Sequence, residues 1–281
     1  MQAVIQYSDT QQLFGSDDAT PLVLVDADFG RAVVALQGAQ LLSFIPAGDE
    51  DWFWLSKAQN FAAGEDIIGG IPLCLPWFGR AEGRPIHGFV QKLAWQFTKV
   101  EEGGDTLSLV FDFDYQGEKP EWFATAFHVQ QIITLSRTSI TLDIHLKNLA
   151  DMAVDFSWAW HSYFAVPALA GVALEGLHGA EYLDNTRSLT PHRQHGALQF
   201  GKAVDRVYQA VAGCQQLGDI NISGSNCPTC IVWNPAEQGR KMAGIGEGFQ
   251  QFVCVERGGA FADTITLGAG AQMAAQMIIR K

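Results

Sequence analysis

Three short stretches of this chain set ionisable side chains among glycine, proline and aromatic residues. The first is Gly69-Gly70-Ile71-Pro72-Leu73-Cys74-Leu75-Pro76-Trp77-Phe78-Gly79-Arg80, followed closely by Pro85-Ile86-His87-Gly88-Phe89. Two prolines keep it out of a helix interior or a central strand. It reads as a rigid loop on which Trp77 could offer a ring face to the C–H surface of a sugar. The second is Trp158-Ala159-Trp160-His161-Ser162-Tyr163-Phe164. If the strand before it continues, Trp158 and Trp160 share one face and His161 falls on the other with Asp155, Ser157 and Ala159. An imidazole with a pKa of about 6.5 suits acid–base work at neutral pH. The third is Phe252-Val253-Cys254-Val255-Glu256-Arg257-Gly258-Gly259. Here a carboxylate ends an apolar strand, and partial burial would raise its pKa and sharpen it as a base. Arg257 is the next residue and points to the opposite face, so it is not the partner of Glu256. Each stretch also has a plain structural reading: a surface loop with hydrophobic anchors, a hydrogen-bonded histidine, and a carboxylate paired with some other cation.

Strand periodicity dominates the sequence that must position these groups. Ile140, Leu142, Ile144 and Leu146 alternate with Thr141, Asp143, His145 and Lys147. Leu107, Leu109, Phe111 and Phe113 form a second run of period two, and Phe127, Val129, Gln131, Ile133 and Leu135 a weaker third. Met152, Val154, Phe156, Trp158 and Trp160 read as one further strand, with others at Leu22–Val25, Ala32–Leu36, Leu41–Ile45, Cys230–Trp233, Gln251–Val255 and Gln272–Ile279. Helical signals are poor: one or two turns over Ser56–Ala62 and another at Glu121–Ala124. No strand alternates with a long helix, which argues against parallel α/β architectures. The expectation is an all-β chain, a large antiparallel β-sandwich with few short helices, forming one domain over residues 1–281.

Composition narrows the function. The chain has 281 residues, with 18 Lys and Arg against 30 Asp and Glu, a net charge of −12. No basic stripe suits nucleic acid. Hydrophobic residues make up 48%, which excludes a disordered chain. The longest nearly apolar stretch, 67–79, is too short and too broken by proline and glycine to span a bilayer. The N-terminus shows no secretory signal, and five cysteines, an odd number, fit a cytoplasmic location. Cys227 and Cys230 form a lone C-x-x-C with no second ligand pair, and read as an incidental turn. His145 reads as a solvated strand residue and His128 as lying on the less apolar side of its strand; His178, His192 and His195 show no metal-ligand spacing. No metal site and no cofactor are expected.

Taken together and in order, these blocks resemble the aldose 1-epimerase superfamily, and within it the hexose-6-phosphate mutarotase branch. The blocks are Gly69-Gly70-Ile71-Pro72 with Pro76-Trp77-Phe78-Gly79, then His87-Gly88-Phe89, His161-Ser162-Tyr163-Phe164, Asp205-Arg206-Val207-Tyr208, Val232-Trp233-Asn234-Pro235 and Cys254-Val255-Glu256. The resemblance implies a galactose mutarotase-like sandwich with an open sugar cleft. It implies His161 as general acid, Glu256 as general base, and His87 and Asp205 on sugar hydroxyls, with Trp77, Arg80 and Gln91 as further substrate contacts. Glu256 and His161 would face each other across the cleft, about a pyranose ring apart. The implied reaction interconverts the α and β anomers of an aldohexose or its 6-phosphate by ring opening and closure; an unphosphorylated aldose, or a non-catalytic carbohydrate-binding role, are the alternatives. The implied partner is a sugar or sugar phosphate, the chain a monomer or weak dimer. The branch also leads one to expect arginines just before Gly69 and just after Phe89. This chain has Ile68 and Gln91 there, with Lys92 next.

Overall fold

In the computed structural model, which describes residues 2–59 and 61–281, the alternating runs become long antiparallel strands. Thr106–Tyr115, Phe127–Leu135, Ser139–Asn148 and Gln272–Arg280 are neighbours in a nine-stranded sheet. Their apolar positions point inward: Leu109, Phe111, Ile133, Leu142, Ile144 and Met277 are almost wholly buried. The weak run is weak because of Gln131, and the structure satisfies it. Its amide donates to Ala39 O at 2.8 Å and its carbonyl accepts the Trp160 indole N–H at 3.0 Å. Buried polar groups persist only when paired in this way.

Trp160 belongs to the facing eight-stranded sheet. From one edge its strands are Thr190–Arg193, Glu181–Asp184, Val204–Tyr208, Thr229–Asn234, Phe252–Gly259, Trp158–Trp160 and Leu73–Cys74, with Tyr163–Ala165 also paired to Phe252–Gly259. One face of it, carrying Trp158, Trp160, Val232 and Val255, joins the nine-stranded sheet in the main core. A four-stranded sheet, Ala3–Asp9, Pro21–Ala27, Gly30–Ala35 and Gln40–Pro46, packs its Val23, Val25, Val34 and Phe44 into the same core.

Four local expectations change. The strand expected to end at Glu256 runs on to Gly259. The Met152–Trp160 run is two short strands, Val154–Phe156 and Trp158–Trp160, in different sheets. The break is at Ser157, whose N–H donates to Pro76 O and whose Oγ accepts from Phe78 N. Asn60, within the expected 56–62 helix, lies outside the described residues; the rest of that span is not helical. The Gln59 side chain bonds Ser56 O and accepts from Ile68 N, which holds the segment open. Residues 121–124 form a turn tied to Tyr115 through Lys119 N and Phe123 O rather than a helix. Among the described residues the α-helix that forms, Thr10–Phe14, is five residues long, capped by Asp9 on Gln12 N and ended by Gly15 in the left-handed region.

Candidate active site

The outer face of the eight-stranded sheet is a lattice of side chains set by register. Trp160 pairs with Arg257 and Tyr163 with Cys254, so His161 stands opposite Glu256. Glu256 pairs with Ile231 and Ile231 with Val207, completing one row across the sheet. The next row runs Tyr163, Cys254, Trp233, Asp205. Arg257 points to the other face. There it is wholly buried and donates to Cys227 O, Gln215 Oε1 and Val211 O. The parity reading of Glu256 and Arg257 is the observed one.

The glycine–proline segment fastens this lattice. Tyr163 N donates to Gly70 O and His161 N to Pro72 O, each at 2.8 Å. Gly70 adopts φ +59°, where a Cβ would overlap the Leu41 carbonyl, so the motif needs glycine there. Residues 76–89 then fold over the sheet as a roof. His87 closes that loop: its N–H donates to Gly79 O at 2.9 Å and its Nδ1 accepts from Gly79 N at 3.2 Å. The neutral imidazole therefore carries its proton on Nε2. Phe78 lies over Ala159, Ile231 and Val207 and packs against His87 at 4.8 Å.

His161 Nε2 lies 3.5 Å from Glu256 Oε1. The two groups meet directly, rather than standing a ring width apart as expected, because they are cross-strand neighbours in one row. Both are buried, His161 9% and Glu256 1% exposed, and His161 Nδ1 and Glu256 Oε2 have no hydrogen-bond partner among the described residues. Burial, helped by His87, lowers the His161 imidazole to about 3. Burial and then the Asp205 carboxylate hold Glu256 well above the usual carboxylate range. Both shifts act against charge, so burial favours the uncharged pair, a protonated Glu256 beside a neutral His161. Burial likewise lowers His87 to about 4, against an upward pull from Asp66. Asp205, raised by burial, accepts from Asn185 Nδ2 at 2.7 Å.

The structure brings His161, Glu256, His87 and Asp205 to one face. Arg80 is exposed at the rim, and its charge is felt at His87. Trp77 is not brought to the site. It is buried in the main core against Phe89, its indole N–H on Pro85 O, with Arg84 over its ring at 5.4 Å. Phe78, one residue on, is the aromatic that meets the sheet face. Gln91 is buried beneath the His87 turn, its amide 3.4 Å from Asp66 Oδ1, and Asp66 is paired with Lys92 at 3.0 Å. Two residues absent from the expected set belong here. Half-buried Trp233 turns its edge to His161 at 5.9 Å, and Tyr163 stacks on it at 4.8 Å. Parity could have flagged Trp233, since Ile231 and Trp233 alternate with buried Cys230 and Val232; the signal meant little without the register.

The fold and this arrangement agree with three comparisons. The family description "Aldose 1-epimerase" matches residues 21–280. An Escherichia coli protein named "Putative glucose-6-phosphate 1-epimerase" is 32% identical over 250 residues, covering 85% of this chain and 83% of that one. A Cenchrus ciliaris protein of the same name is 27% identical, covering 85% and 78%. The crystal structure of a "putative mutarotase" from Salmonella typhimurium superposes with a TM-score of 0.82 at 29% identity, over 93% of this chain and 91% of that one. The chain belongs to the aldose 1-epimerase family. It is an isomerase of the epimerase type with an all-β, galactose mutarotase-like fold.

Proposed function

We propose that this protein is a mutarotase that interconverts the α and β anomers of an aldohexose by acid–base ring opening and closure. The direct contact of His161 with Glu256 carries this reading. The anomeric hydroxyl oxygen and the ring oxygen are bonded to one carbon. An acid and a base standing side by side can serve both, each within about 3 Å of its oxygen. In the charged form Glu256 takes the hydroxyl proton and His161 protonates the ring oxygen. The C1–O5 bond breaks and an aldehyde remains. Rotation about C1–C2 turns its other face to O5. On closure neutral His161 takes the O5 proton and Glu256 returns a proton to O1. Each turnover passes through both protonation forms of the pair and leaves its proton count unchanged. His87 Nε2–H and Asp205 would bind sugar hydroxyls, and Trp233 would offer an apolar surface beside them.

The relatives' names favour a hexose 6-phosphate, and Arg80 is the rim cation that would meet a phosphate. A second reading, an unphosphorylated aldose, has its own support. The Asp205 carboxylate acts on Glu256 and that of Asp66 on His87, Lys92 is held by Asp66, and Gln91 supplies no guanidinium fork. A cytoplasmic site of action is part of the proposal, supported by five cysteines that are all free. Anomer exchange measured by NMR on glucose, galactose and their 6-phosphates tests it, with His161→Ala as control. No acceleration of any sugar sinks the proposal; faster exchange of the free sugars selects the second reading.

A further inference from the structure

His161 lacks the usual means of orientation. A histidine that moves protons is commonly fixed by a hydrogen bond on its second nitrogen. Here Nδ1 is buried without a partner among the described residues, so the 3.5 Å contact of Nε2 with Glu256 has no second hydrogen bond to set the ring plane. Three rings surround it instead. Trp233 and His87 meet it edge-on, at 5.9 Å and 79° and at 5.3 Å and 88°. Tyr163 alone lies parallel to it, at 4.8 Å and 14°. A parallel neighbour is the one that resists rotation of the imidazole about its Cβ–Cγ bond, because a turned ring would drive its edge into the neighbour's face. Tyr163 is itself braced. It stacks on Trp54 at 5.9 Å and 29°, packs on Phe252 at 5.1 Å, and its N–H is fixed on Gly70 O.

We infer that Tyr163 is the positioning residue of the active site, its ring holding the His161 imidazole so that Nε2 faces Glu256. The inference rests on the acid–base reading above and adds what makes the pair competent. The ring carries the role, not the hydroxyl. Misplacing a reacting group by about 1 Å can cost on the order of 10²-fold in rate. The ionisable groups around His161 are Glu256 across the strand pair, His87 and Arg80 from the roof, Cys74, Cys254 and Tyr163 on the sheet, and Asp205 and Asp66 beyond them. Substitution at 163 changes only one of these, so a moved pH limb reports on the imidazole's surroundings.

The test compares Tyr163→Phe, Tyr163→Leu and Tyr163→Met in NMR anomer exchange with glucose and glucose 6-phosphate from pH 4 to 9. His161→Ala is the control. Tyr163→Phe should keep kcat within about threefold of wild type. Tyr163→Leu should lose about 10- to 100-fold in kcat with KM within about threefold, because sugar contacts remain. Its acid limb should move upward, since water reaches an imidazole now held low by burial. Should Tyr163→Leu fail to fold, as judged by circular dichroism, Tyr163→Met is read the same way. The inference is overturned if Tyr163→Phe is as impaired as Tyr163→Leu. It is also overturned if the apolar variants keep wild-type kcat, or lose rate with an unmoved acid limb. Wild-type exchange in His161→Ala would overturn the acid–base reading itself, a separate failure.

Discussion

Glu256→Gln removes a transferable proton and little else. The amide matches the carboxyl in shape, and burial favours the protonated form of the carboxyl it replaces, so the substitution leaves the buried site's charge little changed. Melting temperature should stay within a few degrees. The rate should not. Without Glu256 the base for opening and the acid for closing are both lost, but the two steps follow one another, so the slower sets the rate and the losses do not multiply. A single positioned acid or base supplies about 10²–10⁴-fold. A loss of about 10³ in kcat, or about 4 kcal/mol, is the central expectation.

The 3.5 Å contact sharpens this into a second, stricter number. Independent groups would make the His161→Ala, Glu256→Gln double variant about 10⁶-fold slower. A pair that shares one proton fails as a unit, so the double variant should lie within about tenfold of the worse single one. Exchange spectroscopy between the two anomeric proton signals measures all four proteins on one scale. Multiplicative losses, or a Glu256→Gln variant keeping more than about a tenth of the wild-type rate, would refute the shared-proton argument.

The imidazoles of His161 and His87 are pushed down, to about 3 and about 4, so both stay neutral as pH falls through the ordinary histidine range. A pH–rate profile should therefore stay flat as pH falls from neutral to about 5 and drop only below that; a midpoint between about 6 and 7 would contradict a desolvated pair. Arg80→Ala should raise KM for glucose 6-phosphate by about tenfold and leave glucose within about twofold; equal effects on both would remove Arg80 from phosphate recognition. At Gly88, φ is +76° and a Cβ would overlap the Leu75 carbonyl, so Gly88→Ala should cost more than about 1 kcal/mol in urea unfolding and loosen the His87 turn.

What could be read from the residues, and what could not, follows from range. The long strands Phe127–Leu135 and Ser139–Asn148 announced themselves because each has one face in the core and one outside. Ala3–Asp9 was silent: among the described residues it pairs with Pro21–Ala27 only, and Val4 and Tyr7 are exposed. The strands between 173 and 217 run two to five residues, too few for a period to show. At the site, parity was sufficient to put His161 opposite Trp160 in facing and Glu256 opposite Arg257. The distance between them was not legible, because register is fixed by pairing between remote segments. Trp77 and Phe78 differ only in which way a proline-bounded loop turns, and no periodicity governs that.

The same register explains why the site can be both buried and reactive. Every residue of Phe252–Gly259 is buried, on both faces of its strand. A carboxyl there is costly when charged, and so is an imidazolium across from it. Setting the two in one row lets a single proton neutralise both, so neither needs a counterion brought from outside. The glycine and proline residues at 69–72 then have a definite task. They carry the carbonyls of Gly70 and Pro72 to the backbones of Tyr163 and His161, where the strand is interrupted between Trp160 and Tyr163. That interruption frees His161 from regular pairing while leaving its side chain in register with Glu256. A continuous strand would satisfy more backbone but would not need this loop. The loop is what ties the roof with His87 and Arg80 to the sheet that holds the acid and the base.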